Sequence, residues 1–125
     1  MKGKIKTGPI GQRGEQLAAG FLENHGYRIL RRNYRCRMGE IDIIAWDGPV
    51  LCFVEVRTRS SSDFGYPFET VLRAKRQKWL RSAQWFLQEA RLDETDCRFD
   101  MVSILVLPAT APQCELLRNV FELAD

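Results

Sequence analysis

The sequence predicts an α/β fold, a mixed β-sheet flanked by helices. Three observations predict it. Two runs of β-branched and apolar residues, Gly39–Trp46 and Val50–Arg59, flank an Asp47-Gly48 turn signal and read as a hairpin. Segments of helical period lie on both sides of that hairpin. A strongly apolar run, Arg98 to Leu107, follows the longer of them. The 125 residues fit one domain spanning 1–125, long enough to bury an independent core.

Taken in order, residues 1–10 are expected to be mobile. Helix one is predicted from Gly11 to Asn24, with Leu17, Ala18, Phe21 and Leu22 as its apolar stripe and Gly26 as a C-terminal stop. Glu15 lies in its first turn, where the helix dipole favours an acid, and His25 lies at its end, where a cation is welcome. Tyr27 to Tyr34 reads as a strand, and Arg31, Arg32, Arg35 and Arg37 crowd the connection into the hairpin. Ser60 to Pro67 is punctuated by Gly and Pro and reads as a loop, whose Phe64 and Tyr66, with Phe68, pack beneath it or stack on bases. Helix two is predicted from Glu69 to Ala90, burying Leu72, Trp79, Leu80, Ala83, Phe86 and Leu87, with Lys75 and Lys78 on one exposed stripe. Asp93 to Asp96 is an acidic turn, Arg98 to Leu107 a strand ended by Pro108, and Cys114 to Phe121 a strand or a short helix.

The hairpin carries the candidate chemistry. A loop centred on Asp47 and Gly48 sets Trp46 opposite Pro49, Ile44 opposite Leu51, Asp42 opposite Phe53 and Glu40 opposite Glu55. Alternation then gathers Glu40, Asp42, Glu55 and Arg57 on one face and Ile41, Ile43, Val54 and Val56 on the other. Opposed like charges destabilise a sheet unless they share protons, pair with cations or hold a metal. Converging oxygen ligands suit a hard divalent ion, Mg²⁺ or Mn²⁺, with Asp42, Glu55 and Glu40 as the ligands. Pairing of these acids with nearby arginines is the structural alternative.

Composition narrows the class. At 45% hydrophobic and 28% charged, the chain reads as globular, without a transmembrane run or a secretory signal, and a cytoplasmic location is expected. Cys36, Cys52, Cys97 and Cys114 have neither zinc-knuckle nor redox-pair spacing and are expected as free thiols. Charge is uneven: Met1 to Arg81 holds 16 Lys and Arg against 8 Asp and Glu, whereas Ser82 to Asp125 holds 3 against 8. A basic half carrying an acid cluster points to a polyanionic partner, nucleic acid first. Arg31, Arg32, Arg35, Arg37, Arg59, Lys75 and Lys78 are the candidate phosphate contacts; no membrane partner is expected, and a homodimer is allowed.

Gly14-Glu15, Gly39-Glu40-Ile41-Asp42-Ile43-Ile44-Ala45, Phe53-Val54-Glu55-Val56-Arg57-Thr58-Arg59 and Arg98-Phe99-Asp100, in that order, resemble the YraN-like family of uncharacterised bacterial proteins. That family is similar in its motifs to archaeal Holliday-junction resolvases and to the restriction-endonuclease-like superfamily, whose signature is an acid on one strand and acid-x-lysine on the next. The resemblance implies a restriction-endonuclease-like mixed sheet and Mg²⁺-dependent hydrolysis of phosphodiester bonds in DNA, branched or damaged DNA included. It implies Asp42 and Glu55 as the signature acids, Glu15 as a third acid and Lys75 as a helix lysine common in the family. Arg57 departs from the pattern, which has lysine there; it keeps a positive charge but does not readily give up a proton. The alternatives are a nucleic-acid-binding module of the same fold with weak or lost chemistry, and a protein-interaction domain.

Overall fold

The structure, a computed structural model, describes residues 9–60 and 68–121. The loop expected over Ser60–Pro67, with Phe64 and Tyr66, falls almost wholly outside the described residues, as do residues 1–8 and the side chains of residues 9–12 and 68–74. Helix α1 spans Pro9–Asn24, so Pro9 and Ile10, expected to precede it, belong to its backbone. Proline suits a first helical turn, where its missing N–H has no partner to lose. Strands β1 (Arg28–Cys36), β2 (Gly39–Asp47) and β3 (Val50–Ser60) follow, then helix α2 (Phe68–Ala90) and strands β4 (Cys97–Val106) and β5 (Gln113–Phe121). The ambiguous C-terminal segment is therefore a strand.

The five strands stand in the order β1-β2-β3-β4-β5, all neighbours antiparallel except β3 and β4, which run parallel. Parallel neighbours need a long connection, and α2 lies in the chain between them. This is the expected mixed α/β sheet, and it agrees with a restriction-endonuclease-like arrangement.

Each helix covers one face of the sheet. Ala18 and Leu22 of α1 pack with Ile43, Ala45, Val54, Val56, Val102 and Ile104. Trp79, Ala83, Phe86 and Leu87 of α2 pack with Tyr34, Ile41, Ile44, Leu51, Phe53 and Phe99. Aromatic rings concentrate on the second face, where Phe99 stacks on Phe53 and on Phe121 at centroid separations of 5.5 and 4.6 Å. The Tyr34 hydroxyl donates to Glu89 Oε1 at 2.9 Å and ties α2 to β1. On the first face α1 comes very close to β3 at Gly14, where an added Cβ would lie 2.4 Å from Thr58 Oγ1.

The hairpin register differs from the predicted one by two residues. Asp47 pairs with Val50, Trp46 with Leu51 and Ile44 with Phe53, so the loop is Gly48-Pro49 rather than Asp47-Gly48. Gly48 takes φ +60°, and proline's φ is fixed near about −65°, the signs of a type II′ hairpin turn. The expected faces change at one point as well. Ile43, Val54 and Val56 share the α1 face, but Ile41 packs under α2. Between them the β1–β2 ladder skips Asn33 and Asp42, and Asn33 has a left-handed φ of +54°. Strict alternation is interrupted at Asp42.

Candidate metal and phosphate site

Asp42, Glu55 and Glu15 are all buried, at 2%, 6% and 3% exposure, and ordinary surface acids are not. The paired residues of β2 and β3 end at Ile43 and Val54, and counting one step further sets Asp42 opposite Glu55. At that step a side chain replaces the ladder: Asp42 Oδ2 accepts the Val56 backbone N–H at 2.8 Å. The Asp42 carboxylate thus lies against the β3 backbone one residue from Glu55.

Glu55 projects toward α2. Phe53, two residues earlier on β3, packs in the α2 cluster, and β3 pairs without interruption with β4 from Leu51 to Ser60. Lys75 of α2 meets Glu55 there, its Nζ 2.5 Å from Oε2. A buried carboxylate needs such a partner, because an uncompensated buried charge is strongly destabilising. Lys75, expected among the outward phosphate contacts, is instead half-buried at the acids. Arg57, two residues beyond Glu55 and half-buried, emerges on the same side of the strand.

The other candidates are placed differently. Glu15 is carried by α1, the helix of the opposite face, one residue from the Gly14–Thr58 contact. Glu40 pairs with Arg35 across β1 and β2, Nε to Oε1 at 3.4 Å. Among the described residues no three acids, cysteines or histidines gather as a metal cage. Of the three expected ligands, Asp42 and Glu55 lie on adjoining positions of β2 and β3, and Glu40 is engaged by Arg35. Arg31, Arg32, Arg35 and Arg37 are exposed along β1 and the turn after it, and Lys78 and Arg59 are exposed as well. His25 is a helix-end residue as expected, with Nδ1 2.8 Å from the Phe21 carbonyl oxygen. All four cysteines are free thiols.

Sequence reasoning missed two features. Asn33 gave no signal beyond asparagine's tolerance of left-handed backbone. A buried polar network around Asp100, which pairs with Val54 beside Glu55, was equally hidden, because its members lie far apart in the chain. Asp100, fully buried, accepts from the Tyr27 hydroxyl at 2.7 Å, from Arg98 Nε at 2.9 Å and from the Asn119 N–H at 2.9 Å. Arg98 Nη2 donates in turn to Asp47 Oδ2 at 2.6 Å, and Arg118 Nε donates to the Tyr27 oxygen at 3.2 Å. Burial works against the charge on Arg98, but its bonds to Asp100 and Asp47 outweigh that and hold its pKa above the ordinary value.

Fold and site together define a class: an α/β domain with two buried strand carboxylates, a helix lysine and an arginine at one place on a mixed sheet. The chain belongs to the uncharacterised protein family UPF0102, whose model matches residues 14–104. That span runs from the glycine at the α1–β3 contact to Ile104 on β4. A UPF0102 protein of Syntrophus aciditrophicus is 46% identical over 124 residues, covering 99% of this chain and 94% of its own length. One from Geobacter sulfurreducens is 45% identical, covering 92% and 90%, and one from Symbiobacterium thermophilum is 46% identical, covering 90% and 95%. Among the described residues no helix is long and apolar enough to cross a membrane.

Proposed function

We propose that this chain is a metal-dependent nuclease that hydrolyses phosphodiester bonds in DNA. The observation that carries the reading is the Asp42–Val56 hydrogen bond, which draws a β2 carboxylate onto β3 beside Glu55. Two carboxylates suit Mg²⁺ or Mn²⁺, because Mg²⁺ keeps several waters and takes further oxygens from substrate phosphates rather than from an all-protein cage. The donor set is all hard oxygen, which fits the same ions. Asp42 and Glu55 would hold the metal. When bound, it supplies charge neutralisation at the phosphate and lowers the pKa of the attacking water.

The chain's own residues perform the rest. Arg57, on the Glu55 side of β3, offers the planar fork that grips a phosphate bidentately. Lys75 brings to Glu55 the compact ammonium that position 57 lacks, from a helix instead of the strand. Glu15, buried on the other helix one residue from the Gly14–Thr58 contact, is the third acid of this reading. The exposed arginines of β1 and Lys78 hold the flanking backbone.

The Lys75–Glu55 pair also favours a second reading, a binding module, because it neutralises Glu55 without any metal. A cleavage assay on linear, flapped and four-way DNA, with and without Mg²⁺ or Mn²⁺, separates the two. Metal-dependent cleavage that disappears in Asp42→Asn supports the nuclease. Tight DNA binding with no cleavage of any substrate gives the binding module, and absence of binding at low salt removes both.

A further inference from the structure

A cavity of about 310 Å³ lies between α1 and the sheet where β3 and β4 end. Its walls are largely apolar, with Leu17 from α1 and Ile104 and Val106 from β4, and Thr58 adds a hydroxyl. Leu17 and Val106 are 38% and 39% exposed. Arg13 and Arg59, both exposed, belong to the same lining. Gly14, one residue from Glu15, is part of it too.

We infer that this cavity receives one unpaired nucleotide base of bound DNA, an inference that rests on the nuclease or binding reading above. Size comes first. Ligand pockets run from roughly 300 to 1,000 Å³, and this one lies at the low end, fit for one ring system and not for a folded peptide segment. Chemistry agrees: a base presents apolar faces to Leu17, Ile104 and Val106 and polar edges to Thr58. Its attached phosphates carry the charge that Arg13 and Arg59 complement, and a guanidinium plane also stacks on a base. Along β3 the cavity follows the acid site, because Thr58 and Arg59 directly continue the strand that carries Glu55 and Arg57, and Thr58 meets the α1 face while Glu55 projects toward α2. Extracting a base from a duplex costs a few kcal/mol, least where it is already unpaired. The cavity therefore selects DNA with an unpaired nucleotide over continuous duplex.

The test uses the full chain without metal and two duplexes, one fully paired and one carrying a single unpaired 2-aminopurine. Wild type is expected to bind the second about tenfold more tightly, about 1.4 kcal/mol, and to change its fluorescence. Leu17→Trp, which fills the cavity from an exposed position, is expected to erase that preference and keep the affinity for paired duplex. Val106→Trp fills it from the opposite wall and serves where the first variant melts early. Equal wild-type affinity for both duplexes, or a preference that survives both variants, overturns the inference and leaves the nucleic-acid reading standing. Binding to neither duplex at low salt overturns both.

Discussion

At Asp42 one carboxylate has a job in the fold and a proposed one in the site. It caps a backbone N–H that the parting strands would leave without a ladder partner, and it is one of the two acids proposed above to hold a metal. Substitutions separate these jobs. Asp42→Asn keeps an oxygen acceptor for the Val56 N–H, so its melting midpoint is expected to stay near wild type while Mn²⁺ binding, followed by calorimetry, is lost. Asp42→Ala removes the acceptor and is expected to cost about 1–3 kcal/mol in a urea titration, the penalty for an unsatisfied buried donor. Equal stability of the two variants would show that the hydrogen bond contributes nothing to the fold. The acids themselves were legible in the sequence, because carboxylates inside apolar runs are conspicuous. Their surroundings were not: the interruption at Asn33 and Asp42 depends on one backbone angle, and Lys75 reaches Glu55 from 20 residues away.

Among the elements, the helices and every strand but β5, whose spacing fits a strand or a short helix, were readable from period and punctuation, with ends off by one or two residues. The register was not, since Asp47-Gly48 and Gly48-Pro49 are both acceptable turn centres and the two registers, two residues apart, leave every side chain on the same face. The Tyr27–Asp100–Arg98 network shows how β4 is fastened to its neighbours. β5 shifts register by two residues beside it, and the Asn119 N–H released from the ladder donates to Asp100. Burial pushes the Tyr27 phenol from 10.0 up to about 12 and the Cys52 thiol from 9.0 up to about 12. Both groups stay protonated in the folded chain after the unfolded chain has released its protons. Their contribution is fully present below pH 9 and is lost as the pH rises through 12. Urea midpoints are therefore expected to fall over that window, and Cys52→Ala and Tyr27→Phe each to flatten the fall. A midpoint independent of pH between 9 and 12 would contradict this.

Across the whole molecule, charge is arranged by strand. Arg28, Arg31, Arg32, Arg35 and Arg37 stand exposed along β1 and its turn, whereas Ser82 to Asp125 holds 3 Lys and Arg against 8 Asp and Glu. DNA binding is expected to weaken with salt by a log–log slope near about −0.9 per phosphate contact on duplex. Lys78→Ala should make that slope shallower by about one contact. Without metal, Lys75→Ala should change it less, because that ammonium is already engaged by Glu55. Fluorescence anisotropy over a salt series measures both, and equal changes would place Lys75 on the phosphate backbone instead.

β1 is also one of the two outer strands, with neighbours on one side only. An outer strand is an invitation to cross-chain pairing and fibril growth unless something repels the incoming strand. Arg28, Arg31, Arg32 and Arg35 stand exposed along it, and a second copy approaching with the same strand would meet four like charges. The positive charge proposed to attract a polyanion thus also guards the chain against itself. Neutralising these arginines together would expose the protein to aggregation, and a polyanion bound along β1 would screen the same repulsion while covering the strand.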